Sequence, residues 1–276
     1  MAGTLCLGVA PAQADQAELR AKHAELQPKL ASSPFQRPLH LDSTESKDRV
    51  AGEAYAVVEH PFATAAAALN KPGDWCEILM LHLNTKFCRA SGGSLNMVVG
   101  AKHDQPLDQA HRVDFAHRVV SQGPDYLQVV MTAKEGPIGT RDYRIMLEAT
   151  PVDGSRTFIH LSYSYGYGTA GRMAMNLYLG TAGKDKVGFT TAGNQLVGGT
   201  RGMVERNTMR YYLAIEAYLG SLSAPPQARL EKRLRDWFAA HERFPRQLHE
   251  ISQAEYLEMK RKEYQRQQTS QVANPA

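Results

Sequence analysis

Residues 140–167, TRDYRIMLEATPVDGSRTFIHLSYSYGY, decide the fold. Two alternating runs, 140–150 and 156–167, flank Val152-Asp153-Gly154, a turn signal between stretches of period two, which predicts a β-hairpin. Tyr143, Ile145, Leu147 and Ala149 fall on one face of the first run, and Ile159, Leu161, Tyr163, Tyr165 and Tyr167 on one face of the second. Asp142, Arg144 and Glu148 take the other face. The hairpin therefore has an apolar, aromatic side and a polar side. Upstream the pattern repeats. Runs 85–90 and 95–100 flank Ser91-Gly92-Gly93, and runs 112–120 and 126–133 flank Ser121-Gln122-Gly123-Pro124. Val113, Phe115, His117 and Val119 share a face opposite Arg112, Asp114 and Arg118. Successive hairpins make an antiparallel sheet, expected to turn one side to water.

The apolar side needs a cover, and residues 202–222 supply it. Val204, Thr208, Tyr212, Ile215, Leu219 and Leu222 recur at three- and four-residue spacing, the stripe of a helix that lies across a sheet. Before the hairpins the order is a helix over 15–30, a brief strand over 38–41, a firmer strand over 50–60, an alanine-rich helix opened by Pro61 and ending at Leu69, and a second short helix over 75–81 with Asp74 and Glu77 as its capping box. The glycine-punctuated segment 166–202 holds Met173, Met175, Leu177 and Leu179 and a strand expected over 186–190; it reads either as a lid over a hollow or as a packed helix-strand excursion. The fold class is α+β: a curved antiparallel sheet wrapped around a long closing helix with an apolar cavity, over residues 15–222.

Residues 223–276 differ in character. After the break at Ser223-Ala224-Pro225-Pro226, a charged helix over 228–241 carries Leu230, Leu234, Trp237 and Phe238 on one face, and Ser252 with Glu255 caps a last helix through Gln268, followed by a tail of disordered composition. This extension is expected to dock through Trp237 and Phe238. Lys260-Arg261-Lys262 offers either transient contact with an anionic membrane surface or an ordinary solvated helix face.

With 43% hydrophobic and 22% charged residues the chain can bury a substantial core, and no apolar run approaches the ~20 residues that span a bilayer. The net charge of +4 is spread among nearly as many acids as bases, which argues against nucleic acid as a partner. Residues 1–14 have the apolar stretch and the Ala12-Gln13-Ala14 of a secretory signal, though without a basic start; export to the periplasm is expected, a cytoplasmic protein with a frayed N-terminus being the alternative. Removal of that segment would leave Cys76 and Cys88 as a pair. On one helix they would lie about 18 Å apart and could not bond, but with Cys88 on a strand they could; a disulfide and two separate buried thiols both remain open.

The order of these elements, the phrase Ala54-Tyr55-Ala56-Val57-Val58-Glu59-His60-Pro61-Phe62 followed by Leu69 and Trp75, and Asn207-Thr208-Met209-Arg210-Tyr211-Tyr212 in the closing helix resemble the START-like lipid-transfer superfamily in its bacterial form. Its helix-grip (SRPBCC-type) fold is also that of birch-pollen allergens and aromatic polyketide cyclases. The resemblance covers roughly residues 16–222 and is one of topology, so it implies a pocket rather than a reaction.

The candidate ligand-binding residues are Phe115, Tyr143, Tyr163, Tyr165, Arg206, Arg210 and Tyr212. Tyrosines give rigid apolar area with a polar tip, and guanidinium groups near a helix start can hold a carboxylate or phosphate. Against this stand plain core aromatics and arginines paired with neighbouring acids such as Glu205. His117 and His160 can each be read as a base or as a satisfied structural histidine. Ser162 lacks the glycine two residues before it that a nucleophile elbow requires, and residues 198–202 lack the Walker lysine and the dinucleotide spacing. No catalytic residue, metal ligand or cofactor is assigned. The expected function is binding, and transfer, of a lipid or sterol-like small molecule; a polyketide-cyclase-type enzyme using the same cavity and an envelope protein binding a partner without a ligand are the alternatives.

Overall fold

The computed structural model describes residues 11–181 and 186–273. The expected signal at residues 1–14 lies for the most part outside them; the helix α1, Pro11–Ala31, takes in Ala12 to Ala14. Eight strands form one sheet: β1 (Leu39–Glu45), β2 (Arg49–Val58), β3 (Thr85–Ser91), β4 (Ser94–Val99), β5 (His111–Gln122), β6 (Leu127–Glu135), β7 (Thr140–Pro151) and β8 (Thr157–Tyr167). They run in the order β1-β2-β8-β7-β6-β5-β4-β3, every pair antiparallel. Between β3 and β4 the register pairs Ser91 with Ser94, leaving Gly92 and Gly93 as a two-residue turn. Both have positive φ, at 55° and 79°, which is why glycines stand there.

The short helices α2 (Phe62–Leu69) and α3 (Pro72–Leu79) connect β2 to β3. Asp74 does not cap α3 as expected. Pro72 begins the helix, because its fixed φ suits the first turn and its missing N–H needs no partner, so Asp74 falls inside that turn. The indole of Trp75 is fully buried and donates to the Leu69 carbonyl at 2.7 Å, locking the elbow. Cys76 on α3 and Cys88 on β3 are disulfide-bonded with Cα atoms 5.3 Å apart.

After β8 come α4 (Thr169–Gly180), a two-stranded ribbon of β9 (Thr191–Ala192) and β10 (Gln195–Leu196), and the long helix α5 (Gly199–Ser221). The strand expected over 186–190 is absent; residues 186–190 are irregular backbone. Their amides are used elsewhere: Phe189 and Thr190 donate N–H bonds of 2.6 and 2.9 Å to Oε2 of the fully buried Glu205, and Gly188 donates to the Val197 carbonyl. Ser43 adds a hydroxyl bond of 2.5 Å to the other Glu205 oxygen. Helix α5 lies across the apolar face of the sheet, nearest β2 at Gly52, where a Cβ would collide with the Thr208 hydroxyl.

The polar face is not left wholly to water. Helix α1 packs on it through Leu19, Leu26 and Leu30, which cluster with Val57, Tyr126 and Phe158 in a second, smaller core. Phe158 and Val57 occupy outward positions of their strands, so an alternation that is polar elsewhere is apolar where α1 lands.

The chain ends in α6 (Pro226–Glu242), α7 (Pro245–Leu248) and α8 (Gln253–Ala273). Trp237 and Phe238 are buried in the main core with Tyr256, and the Trp237 indole donates to the Arg210 carbonyl at 3.2 Å. Ser252 and Glu255 make reciprocal cap bonds at the start of α8. Of Lys260-Arg261-Lys262, read as a solvated or membrane-facing surface, Arg261 and Lys262 are exposed and Lys260 is not. Lys260 is buried, donating to the carbonyls of His82 and Thr85 and pairing with the buried Glu263, while Arg261 pairs with Glu231 and Lys262 with Glu258. Among the described residues no helix is long and apolar enough to cross a membrane.

Candidate functional site

The site is built around the start of β7 and the end of β8, strands in the middle of the sheet. Between register pairs Arg141–Gly166 and Arg144–Ser164, Asp142 and Tyr143 oppose the single residue Tyr165. This is a β-bulge, with Asp142 at φ 52°, and it re-aims the strand at Tyr143. The rings of Tyr143 and Tyr165 stack with centroids 5.3 Å apart, Tyr163 lies 5.6 Å from Tyr165, and Tyr211 of α5 meets Tyr163 edge-on at 5.1 Å. The Tyr143 hydroxyl donates to Thr140 Oγ1 at 2.8 Å.

Tyr143, Tyr163 and Tyr165 form one wall of a cavity of about 320 Å³. The 3-10 turn Pro137–Gly139 and Gly171, Ala174 and Met175 of α4 form its rim, and Met203, Arg206, Asn207 and Arg210 of α5 close it from the helix side; Asn84 and Lys102 complete the lining. Of the expected ligand residues, Tyr143, Tyr163, Tyr165, Arg206 and Arg210 come together here. Phe115 stands behind Tyr143, its ring edge-on at 6.1 Å. Tyr212 does not reach the cavity; it is buried on another side of α5, its hydroxyl donating to Glu216 at 2.6 Å. Consecutive helix positions point about 100° apart, so Tyr211 and Tyr212 cannot both face the tyrosine wall.

Lys102 and Asn84 were not legible in the sequence, because they lie in loops whose course no periodicity fixes. Arg210 contacts Glu250 rather than Glu205, at 2.8 Å, and Lys102 reaches the same Glu250 oxygen at 2.6 Å. Burial lowers the pKa of the Lys102 ammonium, as does the neighbouring Arg210 charge; burial raises that of Glu250, but Lys102 and Arg210 outweigh it and the net direction is down. Burial pushes Tyr143, Tyr163, Tyr165 and Tyr211 above the usual phenol range, so all four stay neutral. The wall is therefore apolar area with uncharged hydroxyls.

Neither His117 nor His160 lines this cavity. His160 faces the opposite side of the sheet, with Nε2 2.5 Å from Glu53 and Nδ1 2.8 Å from Glu148, its ring stacked on Tyr55 at 4.3 Å. It borders a hollow of about 600 Å³ under α1 that is larger but lined chiefly by charged groups, among them Asp15, Glu18, Lys22, Glu25 and Glu148. The tyrosine cavity is the better candidate because it combines a wall of three aromatic rings with a few polar groups. No group of three or more metal-ligating residues occurs among the described residues.

No protein-family model matches this chain, and no curated protein matches it in sequence. Solved structures do. A conserved protein from Geobacillus kaustophilus aligns at 12% identity and TM-score 0.38, over 62% of this chain and 95% of its own. A norcoclaurine synthase from Thalictrum flavum aligns at 14% identity and TM-score 0.36, over 48% and 86%. A START superfamily protein from Mycobacterium smegmatis aligns at 12% identity and TM-score 0.33, over 52% and 89%. The chain's own topology, an antiparallel sheet of eight strands folded against one long helix with a hollow between them, is that of a helix-grip domain.

Proposed function

We propose that the tyrosine cavity takes up a hydrophobic or amphipathic small molecule, lipid or sterol-like, and that the protein holds and passes on its cargo rather than transforming it. The carrying observation is the lining: Tyr143, Tyr163 and Tyr165 with Met175 and Met203, and both histidines elsewhere. Apolar ligand surface buried there would favour uptake by about 25 cal/mol per Å². Helix α4 is the proposed gate. It lines the cavity with Ala174 and Met175 while Met173 and Leu177 stand 68% and 70% exposed, so these two large apolar side chains lose little packing when it moves. We also propose an exported, periplasmic location, which the Cys76–Cys88 bond supports because oxidising compartments preserve such bonds.

Native mass spectrometry of the purified protein, with organic extraction of whatever it releases, tests the reading. A stoichiometric lipid or sterol-like adduct is the expected result. A protein that stays bare after incubation with envelope lipid extract would overturn carriage, and turnover of a bound polyketide-like chain would replace it with an enzyme of cyclase type.

A further inference from the structure

Helix α4 is apolar on two sides. Gly171, Ala174 and Met175 line the tyrosine cavity, while Met173 and Leu177, about 200° and 240° further round the helix than Gly171, stand exposed. These five positions span an arc of about 200°, twice the ~100° stripe that docks a helix on one core. Among Thr169–Gly180 only Arg172 is charged, and the sequence has no acidic residue from 154 to 184. The neighbouring turn has the same character. Ile138 lines the cavity yet is 63% exposed, and it is held at φ 57° and ψ 39°, a left-handed conformation that strains a β-branched residue. Gly171 joins this turn closely to α4, since a Cβ there would lie 3.0 Å from the Gly139 carbonyl oxygen. Turn and helix therefore make one rim that carries three exposed apolar side chains beside the cavity.

We infer that α4 and the Pro137–Gly139 turn dock the protein on a lipid bilayer, Ile138, Met173 and Leu177 entering the acyl boundary, so that cargo passes along Ala174 and Met175 without crossing water. This rests on the cavity-binding reading and adds the surface from which the cargo comes. Three side chains fall far short of the ~20–30 residues a side that a stable protein interface engages, which disfavours a second copy or a folded partner. They suffice for shallow, reversible seating in a membrane interface. A helix of 12 residues is about 18 Å long, too short to span a bilayer and suited to lying in its surface plane. The acid-free stretch lets that face approach anionic lipid heads without repulsion.

The test is flotation of the full chain with vesicles of phosphatidylcholine and phosphatidylglycerol, paired with uptake of a fluorescent fatty acid delivered either dispersed in water or within the vesicles. Met173→Ser combined with Leu177→Ser should weaken vesicle binding at least about tenfold, the scale of one large apolar side chain returned to water. It should slow loading from vesicles and leave uptake of the dispersed acid unchanged. Ile138→Asn should also weaken vesicle binding while raising the thermal midpoint, because asparagine accepts the left-handed backbone. Weaker binding with higher stability cannot come from a damaged fold. A wild type that stays off the vesicles, or a double variant that binds them equally well, would overturn the inference; continued uptake of the dispersed acid would then leave the cavity reading standing. A dimer on size exclusion that the double variant dissolves would overturn it too, since a second copy would then be the cover. Vesicle binding that the double variant loses, with no uptake by either route, would uphold docking and remove the cavity reading instead.

Discussion

Tyr143 and Tyr165 stack face to face across a β-bulge, their rings 5.3 Å apart and 18° from parallel. The wall of the cavity is thus made of rings, and the Tyr143 hydroxyl serves mainly to fix its own ring through Thr140. Tyr143→Phe should cost about 1 kcal/mol of stability, the worth of one hydrogen bond, and leave uptake of a fluorescent fatty acid nearly unchanged. Tyr143→Ala should cost about 3 kcal/mol and weaken that uptake, because it removes the surface that Tyr165 and Phe115 pack against. Urea unfolding and fluorescence titration check both.

His160 links three strands, reaching Glu53 on β2 and Glu148 on β7 from its own place on β8. Burial alone would lower its pKa, but hydrogen bonds to Glu148 and Glu53 outweigh that and raise it from 6.5 to about 9. The folded state therefore holds this proton more tightly than the unfolded chain. The stabilisation is complete below pH ~6.5 and is lost as pH rises through ~9, on the order of 3 kcal/mol in all. His160→Gln should lower stability most near pH ~6 and converge on the wild type near pH ~10. The difference between the two proteins isolates this group from others titrating in that range, Lys260 among them. A difference that does not vary with pH would show that His160 stays neutral in the fold.

How much of this was written in the sequence depends on periodicity. The hairpins declared themselves because alternation and turn residues both repeat, and the tyrosines on one face of 140–167 led directly to the cavity wall. Tyr212 was misplaced because its apolar stripe marks the buried side of α5 without saying which neighbour buries it; the cavity takes Met203, Arg206, Asn207 and Arg210 from another side of that helix. Glu250 and Lys102 sit far apart in sequence on loops, so their meeting was invisible until the chain was folded. Lys260 read as a surface charge because nothing local distinguishes a lysine that will pair with a buried Glu263 from one that meets water.

Glu205 ties α5 to the segment ahead of it. Its carboxylate, fully buried, accepts from the amides of Phe189 and Thr190 and from the hydroxyls of Ser43 and Thr190. Glu205→Ala would strand these donors and should cost about 3 kcal/mol or more. Hydrogen exchange at the amides of Phe189 and Thr190 should quicken far more than at the strands; uniform quickening would mean that the segment is held by other contacts.

Cys76 and Cys88 are 3% and 0% exposed, so a mild reductant should reach their bond only when the protein opens. The full chain has three cysteines, and thiol titration in denaturant should find one before reduction and three after. Replacing both bonded cysteines with serine should cost about 3 kcal/mol, the usual scale for closing a short loop. Three thiols in the unreduced protein would show that the bond does not form.

The docking of α8 rests on a buried cluster with an excess of positive charge. Lys86 of β3 and Lys260 of α8 both point at Glu263, at 2.9 and 2.8 Å, and all three side chains are buried. Burial lowers the Lys260 pKa to about 8 despite the attraction of Glu263, a sign that its charge is held against a desolvation cost. The two lysines share one carboxylate, so the three substitutions are not equivalent. Glu263→Gln would leave both ammonium groups without a counter-charge and should cost about 3–5 kcal/mol, releasing α8 to limited proteolysis. Lys260→Met leaves Lys86 and Glu263 as a matched pair while removing the bond to Glu263 and those to the carbonyls of His82 and Thr85, so it should cost less, about 2 kcal/mol. The order of the two losses in urea unfolding is the test. If Lys260→Met were the more damaging, the carbonyl bonds rather than charge balance would hold α8 in place.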